Sequence, residues 1–92
     1  MNDLVGPVLE AGVVATAVVA AIRELNAQVE VVDRGSYLRV LVPRRCVVTR
    51  AAIERALGRR FLLPVDLENL MPSFKGELSV SEEQAVWAFR EK

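Results

Sequence analysis

The side chains that most often carry catalysis are scarce in this chain of 92 residues. It contains no histidine and one cysteine, Cys46, so it lacks the commonest general base and offers neither an internal disulfide nor a cysteine-rich metal site. Carboxylates pair at Glu82 with Glu83 and at Asp66 with Glu68, but in polar contexts with no histidine or cysteine nearby in sequence. We therefore predict that the protein is not an enzyme and holds no metal.

The five glycines give no support to nucleotide binding, because they never form the GxGxxG or GxxxxGK patterns whose main chains hold phosphate. We expect no cofactor. A protein without reactive groups can still alter chemistry elsewhere if it binds one conformation of a partner more tightly than another. Coupling of that kind typically amounts to ~1–3 kcal/mol. The sequence thus predicts a protein that acts by contact.

Charge is unevenly distributed although the formal net charge is zero. Residues 1 to 33 sum to −4 and residues 61 to 92 to −3, whereas residues 34 to 60 hold eight arginines and one glutamate and sum to +7. We call this middle segment the arginine belt. It suits docking on an acidic protein surface, because arginine is enriched at interfaces and its charge steers encounter. A solvated belt that pairs with the acidic ends of the chain is an equally good interpretation.

Nucleic-acid binding by the arginine belt is the alternative function. Modules that hold single strands combine basic charge with aromatic side chains on which bases stack, and Tyr37 is the one aromatic residue in the belt. We therefore favour a protein partner and expect no nucleic acid. A small-molecule-sensing regulatory domain is a third hypothesis.

The amino-terminal segment carries Asp3 and Glu10 where a signal peptide would carry positive charge. The stretch from residue 11 to 22 has twelve consecutive uncharged residues, well short of the roughly 20 that cross a bilayer. One thiol fits a reducing compartment. We expect a cytoplasmic protein that does not enter a membrane and is monomeric when free.

The first quarter of the chain predicts a strand and a helix. Residues 5 to 9 form an apolar run, and Pro7 favours an edge strand or the first residue of a strand. Apolar residues at helical spacing predict an amphipathic helix over 13 to 26, with Gly12 as its cap and Asn26 as a left-handed residue near its end. The helix face opposite the main apolar stripe is also apolar, and we expect later segments to bury it. Its residues include Ala15, Thr16, Val19 and Ala20.

Residues 28 to 33 and 36 to 42 are rich in β-branched side chains and predict an antiparallel hairpin around Arg34 and Gly35. Alternation places Tyr37 and Arg39 on the outward face of the second strand. The opposite face should line the core with Leu38, Val40 and Val42.

Thr49 as cap and Gly58 as a left-handed stop predict a helix over 50 to 57, with its core side formed by Ile53, Ala56 and Leu57. Before it, Cys46 should behave as a small, half-buried hydrophobic residue.

The last third of the chain predicts mostly short elements. We expect an irregular helix over 66 to 71, a turn at 73 to 76 and a strand starting at 77 to 80. The apolar run from 85 to 89 predicts a final strand, in which Trp87 anchors the core and which extends the sheet of the early hairpin.

Four segments, in this order and spacing, carry a resemblance to a known family. They are Val5-Gly6-Pro7-Val8-Leu9 with Ala11-Gly12, then residues 31 to 40, then Leu57-Gly58-Arg59-Arg60-Phe61, and Asn69-Leu70-x-x-Ser73-Phe74-x-Gly76. From residue 2 to 89 the chain resembles the small effector (coupling or regulatory) proteins of soluble diiron multicomponent monooxygenases. The likeness is greatest to the aromatic and alkene oxidation systems. Two departures stand out: Val13 lies where an acidic residue is frequent, and Arg60 where a proline is frequent.

The resemblance implies a cofactor-free regulatory protein that docks on the large subunit of a diiron hydroxylase and tunes the rate, coupling and regiospecificity of aromatic or alkene oxidation. Electrons in such systems come from a reductase, often through a Rieske ferredoxin. The implied fold is a single α+β domain spanning residues 1–92, with two small, mainly antiparallel sheets forming a corner filled by two to three helices.

If the resemblance holds, we expect docking residues in two places. One is the hairpin turn with its outward face, Arg34, Tyr37 and Arg39. The other is the segment Asn69, Ser73, Phe74, Lys75 and Gly76. Structural roles are an open alternative at three of these positions: Asn69 as a cap of a turn, Phe74 as core and Gly76 as a backbone hinge.

Overall fold

Two antiparallel sheets and three helices make up the computed structural model, which describes residues 2 to 90. The elements in chain order are β1 (Leu4–Glu10), α1 (Val13–Leu25), β2 (Glu30–Asp33), β3 (Tyr37–Pro43), β4 (Arg45–Thr49), α2 (Arg50–Leu57), α3 (Val65–Leu70), β5 (Ser73–Lys75), β6 (Glu77–Val80) and β7 (Gln84–Ala88). The first sheet has the strand order β2-β3-β1-β5 and the second β4-β7-β6. The predicted α+β class with two small antiparallel sheets is confirmed.

β1 lies inside the first sheet, between β3 and β5, so the edge position predicted from Pro7 is wrong. The ladder to β3 has no pairs at Gly6 and Pro7, although pairs flank them on both sides. On its other side Pro7 lies opposite Phe74 of β5, the short edge strand. Gly6 explains the gap: its φ is 148°, and a Cβ atom there would collide with the carbonyl oxygen of Val40.

Helix α1 is confirmed and buries the predicted stripe, in which Val18 and Ile22 are fully buried. The prediction for its opposite face is partly wrong, since Thr16 and Ala20 are exposed. The end of the helix also differs from prediction. Asn26 is extended, with φ −135° and ψ 144°, because its side chain does the capping that a left-handed residue would do. Its Nδ2 donates to the carbonyl oxygen of Ile22 at 2.8 Å.

The hairpin of β2 and β3 is confirmed, and its first strand starts two residues later than predicted because Gln28 has a φ of 58°. In the turn, Asp33 Oδ1 accepts a hydrogen bond from the Gly35 N–H at 2.8 Å. The alternation in β3 is as predicted: Tyr37 and Arg39 are exposed on the outward face. The inward face contains Leu38, Val40 and Val42, of which the last two are buried.

Helix α2 begins and ends at the predicted signals. Thr49 Oγ1 accepts a hydrogen bond from the Ala52 N–H at 3.1 Å, and Gly58 has a left-handed φ of 81°. The predicted core side needs one correction, because Ala52 is buried with Ile53 whereas Ala56 is exposed.

The last third holds two corrections. The segment predicted as a turn at 73 to 76 contains strand β5, which pairs with β1 at the edge of the first sheet. The final strand β7 exists as predicted, but it lies at the centre of the second sheet and not in the sheet of the early hairpin. Trp87 of β7 is fully buried, as predicted, while Cys46, opposite it in β4, is fully rather than half buried.

Candidate functional site

The two segments predicted to dock meet on one face of the first sheet. Arg39 of β3 and Ser73 of β5 both lie opposite Val8 of the intervening strand β1. Lys75 lies opposite Gly6, two residues along β1. Residues that face each other in an antiparallel ladder project to the same side of the sheet. Arg39, Ser73 and Lys75 therefore share the outward face, although 33 residues separate the first two in the sequence.

These residues surround a shallow, open depression of about 350 Å³, which we call the sheet groove. Gly6 is one of the lining residues, and its backbone position cannot accept a side chain, because a Cβ atom there would collide with the main chain of Val40. The lining residues are Gly6, Val8, Arg39, Leu41, Ser73, Phe74 and Lys75. The groove is therefore cationic, with an apolar strip supplied by Val8 and Leu41.

The arginine belt divides into paired and unpaired cations. Arg44 pairs with Asp3 at 3.7 Å, Arg50 with Glu83 at 3.4 Å, and Arg55 with Glu24 at 3.0 Å. For these three arginines the interpretation of a belt that pairs with the acidic ends is right. Within residues 2 to 90, no carboxylate forms an ion pair with Arg39 or Lys75.

The remaining predicted docking residues lie around or away from the sheet groove. Arg34 is exposed in the hairpin turn, and Tyr37, 37% exposed, lies opposite Glu10 at one end of the same sheet face. Phe74 lines the sheet groove between Ser73 and Lys75 and is 43% exposed, so it is not part of the core.

Asn69 and Gly76, like Arg34 and Tyr37, do not line the sheet groove. Asn69 is exposed in α3. Gly76 joins β5 to β6 with φ 106°, and a Cβ atom there would lie 2.7 Å from Val5 Cγ1. This backbone conformation and the close approach of Val5 both require glycine at position 76.

A second groove, of about 570 Å³, runs between α1 and α2 and was missed by sequence reasoning. We call it the helix groove. It is lined by Gly12, Val13, Thr16, Ala17, Ala20, Ala56 and Leu57, and Val13 is 78% exposed. The signal lay in the small residues at positions 12, 16 and 20, which recur every four residues along one helix face. Their small size leaves a gap between the two helices.

The described residues hold little that could react. Burial raises the pKa of the Cys46 thiol from 9.0 to about 12, which suppresses the nucleophilic thiolate. Residues 2 to 90 contain no group of three or more histidine, cysteine or acidic side chains placed to hold a metal ion. In the same range, no helix is both long and apolar enough to cross a membrane. The one buried side-chain donor without a partner there is Trp87 Nε1.

The described chain is thus a two-sheet α+β body with two grooves on its surface and Cys46 buried in its core. Residues 3–88 match the MmoB/DmpM family, and the chain belongs to that family. The resemblance found in the sequence is confirmed, and the members of this family are regulatory effector subunits, not catalysts.

The chain is similar to a curated protein in sequence and to a solved structure in fold. The chain is 44% identical over 91 residues to the protein described as "Alkene monooxygenase system, effector subunit" from Xanthobacter autotrophicus (strain ATCC BAA-1158 / Py2), covering 97% of this chain and 89% of that protein. Its fold is similar to a chain in the solved structure of a complex of phenol hydroxylase with its regulatory protein. That match has a TM-score of 0.83 at 20% identity and covers 95% of this chain and 99% of that one.

Proposed function

We propose that this protein binds the hydroxylase of a multicomponent diiron monooxygenase and tunes the rate, coupling and regiospecificity of hydrocarbon oxidation. The observation that carries the proposal is the 44% identity, over nearly the whole chain, to an effector subunit of an alkene monooxygenase system. An alkene is therefore the preferred substrate class of the whole system, and an aromatic hydrocarbon is the second choice.

The geometry supports action by contact. A protein interface of standard size covers roughly 800 Å² of each partner. The accessible surface of this protein is 5462 Å², so one interface would occupy about one-seventh of it, which corresponds to one face. Differential binding to two hydroxylase conformations then supplies the effect on chemistry, with a typical coupling of ~1–3 kcal/mol or roughly 5- to 150-fold in affinity.

A multicomponent monooxygenase of this class also contains electron-transfer proteins. A reductase supplies electrons, and a Rieske ferredoxin relays them to the hydroxylase. In this proposal the effector itself transfers no electrons. It functions as a monomer in the cytoplasm. Nothing favours the nucleic-acid alternative, since three arginines of the belt pair with carboxylates of the chain itself.

Reconstitution tests the proposal. The purified hydroxylase, reductase and ferredoxin are assayed with increasing amounts of this protein, and product formed, NADH consumed and hydrogen peroxide released are measured together. We expect turnover to change and saturate at a fixed ratio to hydroxylase, with more product per NADH and an altered distribution of product isomers. If none of these quantities changes at saturating amounts, the proposed function is wrong.

A further inference from the structure

Arg39 and Lys75 are cations of one groove for which the described part of the chain supplies no carboxylate. Some basic side chains elsewhere have acidic partners, such as Arg55 with Glu24 and Arg90 with Glu77, whereas other exposed arginines, such as Arg59, form no ion pair with the described residues. Arg39 and Lys75 differ from those arginines in lining the same groove. Arg39 and Lys75 lie on β3 and β5, on either side of β1, so an anion held over β1 would be attracted by both side chains. The groove therefore has the charge of a site for carboxylates.

Its shape suits a segment of polypeptide better than a compact ion. The groove is open to solvent and is bounded on one side by β5, a strand of three exposed residues at the edge of the first sheet. Its lining includes the buried Gly6 and the partly buried side chains of Val8 and Leu41. An extended segment with alternating apolar and acidic side chains would contact both features.

Two carboxylates on the same sheet face limit where acidic groups of a partner can lie. Glu10 lies opposite Tyr37 at one end of β1, and Glu30 lies opposite Leu41 on the edge strand β2. Neither forms an ion pair with Arg39 or Lys75. A uniformly acidic surface would be repelled at both places, so the groove selects carboxylates positioned between β3 and β5.

We infer that the sheet groove is the place where a carboxylate-bearing segment of the hydroxylase docks, with its acidic side chains paired to Arg39 and Lys75. This inference rests on the proposed function and adds to it the docking face and the chemistry of the partner segment. Arg34, exposed in the turn beyond the groove, contributes to attraction during encounter.

Cross-linking gives the sharpest test, because the chain contains two lysines, Lys75 and Lys92. A water-soluble carbodiimide joins an amine directly to a carboxylate with which it is in contact. In the complex with the hydroxylase, we expect mass spectrometry to find Lys75 joined to an aspartate or glutamate of the hydroxylase. The variant Lys75→Arg keeps the charge, so it should bind as the wild type does and lose this cross-link.

Charge reversal provides a second, independent measurement. Arg39→Glu and Lys75→Glu should each raise the dissociation constant for the hydroxylase by about 10-fold and weaken its dependence on salt. Arg59→Glu is the matched control: it makes the same charge change at an exposed arginine outside the groove, and affinity should change less than about 2-fold. Circular dichroism and thermal unfolding confirm that each variant is folded, and Arg39→Gln repeats the test without adding a negative charge.

The outcomes separate this inference from the proposed function. If the wild-type protein binds and changes turnover, but Arg39→Glu and Lys75→Glu bind as tightly as Arg59→Glu, the docking face is wrong and the proposed function stands. A cross-link that maps to Lys92 and never to Lys75 leads to the same conclusion. If the wild-type protein neither binds the hydroxylase nor alters turnover, the proposed function fails and this inference fails with it.

Discussion

The side-chain amide of Asn26 pairs with the main chain of Val47 as a neighbouring strand would. The Val47 N–H donates to Asn26 Oδ1 at 3.0 Å, and Asn26 Nδ2 donates to the Val47 carbonyl oxygen at 2.7 Å. Val47 lies in β4, the edge strand of the second sheet. A residue at the end of α1 therefore satisfies the open edge of a sheet and fixes the helix against it, since Nδ2 also donates to Ile22 in the helix.

Removing this amide should cost stability. Asn26→Ala leaves the half-buried N–H and carbonyl groups of Val47 without partners, and we expect a loss of about 2–3 kcal/mol in the free energy of unfolding. Urea unfolding measures the loss. Asn69→Ala, at an exposed position in α3, is the matched control and should change stability by less than about 0.5 kcal/mol. Equal losses in the two variants would contradict the role given to Asn26.

Substitutions at two glycines with nearly equal φ can distinguish the cost of a steric collision from the cost of backbone strain. Gly6 has φ 148° and Gly12 has φ 149°, but a Cβ at Gly6 would strike the carbonyl of Val40, whereas one at Gly12 meets nothing within 4 Å. Gly12→Ala should cost about 1–3 kcal/mol from strain alone. Gly6→Ala should cost clearly more, and thermal or urea unfolding of both variants gives the difference. A Gly6→Ala variant as stable as Gly12→Ala would refute the close approach of β1 and β3.

The contribution of the Thr49 cap to the stability of α2 should be measurable separately from the contribution of side-chain packing. Thr49→Ala removes the oxygen that accepts the Ala52 N–H, and we expect a loss of about 1 kcal/mol. Thr49→Ser keeps that oxygen and should recover most of the loss. Thr16→Ala is the contrasting control, because the Thr16 hydroxyl donates to the Gly12 carbonyl and caps no N–H. Its effect on urea unfolding should lie within about 0.5 kcal/mol of zero.

Cys46 should be inert while the protein is folded. Its thiol is fully buried and its pKa is raised to about 12, so a disulfide reagent at pH 8 should modify it only as fast as the chain unfolds. Addition of urea should make the reaction immediate. Fast labelling without denaturant would show that the thiol is accessible.

The same thiol links stability to pH. Because the folded-state pKa lies above the ordinary value of 9.0, the neutral thiol stabilises the fold fully below pH 9, and this contribution is lost as pH rises toward 12. We therefore expect the stability difference between the wild type and Cys46→Ala to shrink from pH 9 to pH 11. Urea unfolding at several pH values measures it, and a constant difference would contradict the raised pKa.

Local signals made α2 and the outward side chains of β3 predictable. Thr49 and Gly58 act within one turn of the helix that they limit, and alternation alone placed Arg39 on the outward face. Pro7 and the segment 73 to 76 were misjudged for a different reason. Whether a strand is interior or at an edge depends on pairing with distant segments, and β1 pairs with β5 across more than 60 residues of chain.

The sequence predicts which side chains of the candidate site are exposed, but not how the strands that carry them come together. Arg39 and Lys75 were each predicted to dock, yet nothing in the sequence indicates that β1 lies between their strands and brings them to one groove. The helix groove was missed because Thr16 and Ala20 were expected to be covered. Small residues on one face of α1 are compatible both with close packing against another element and with a gap beside it. Which of the two occurs depends on where α2 lies, and this position cannot be read from the sequence.

Gly76 is the one residue between β5, an edge strand of the first sheet, and β6, an edge strand of the second, and it packs directly against Val5. Because this connection is one residue long and closely packed, β5 and β6 cannot move apart independently. A pull exerted by a partner on Lys75 would be transmitted through it to both sheets at once, so the domain would tilt as a whole body and the strand would not peel away.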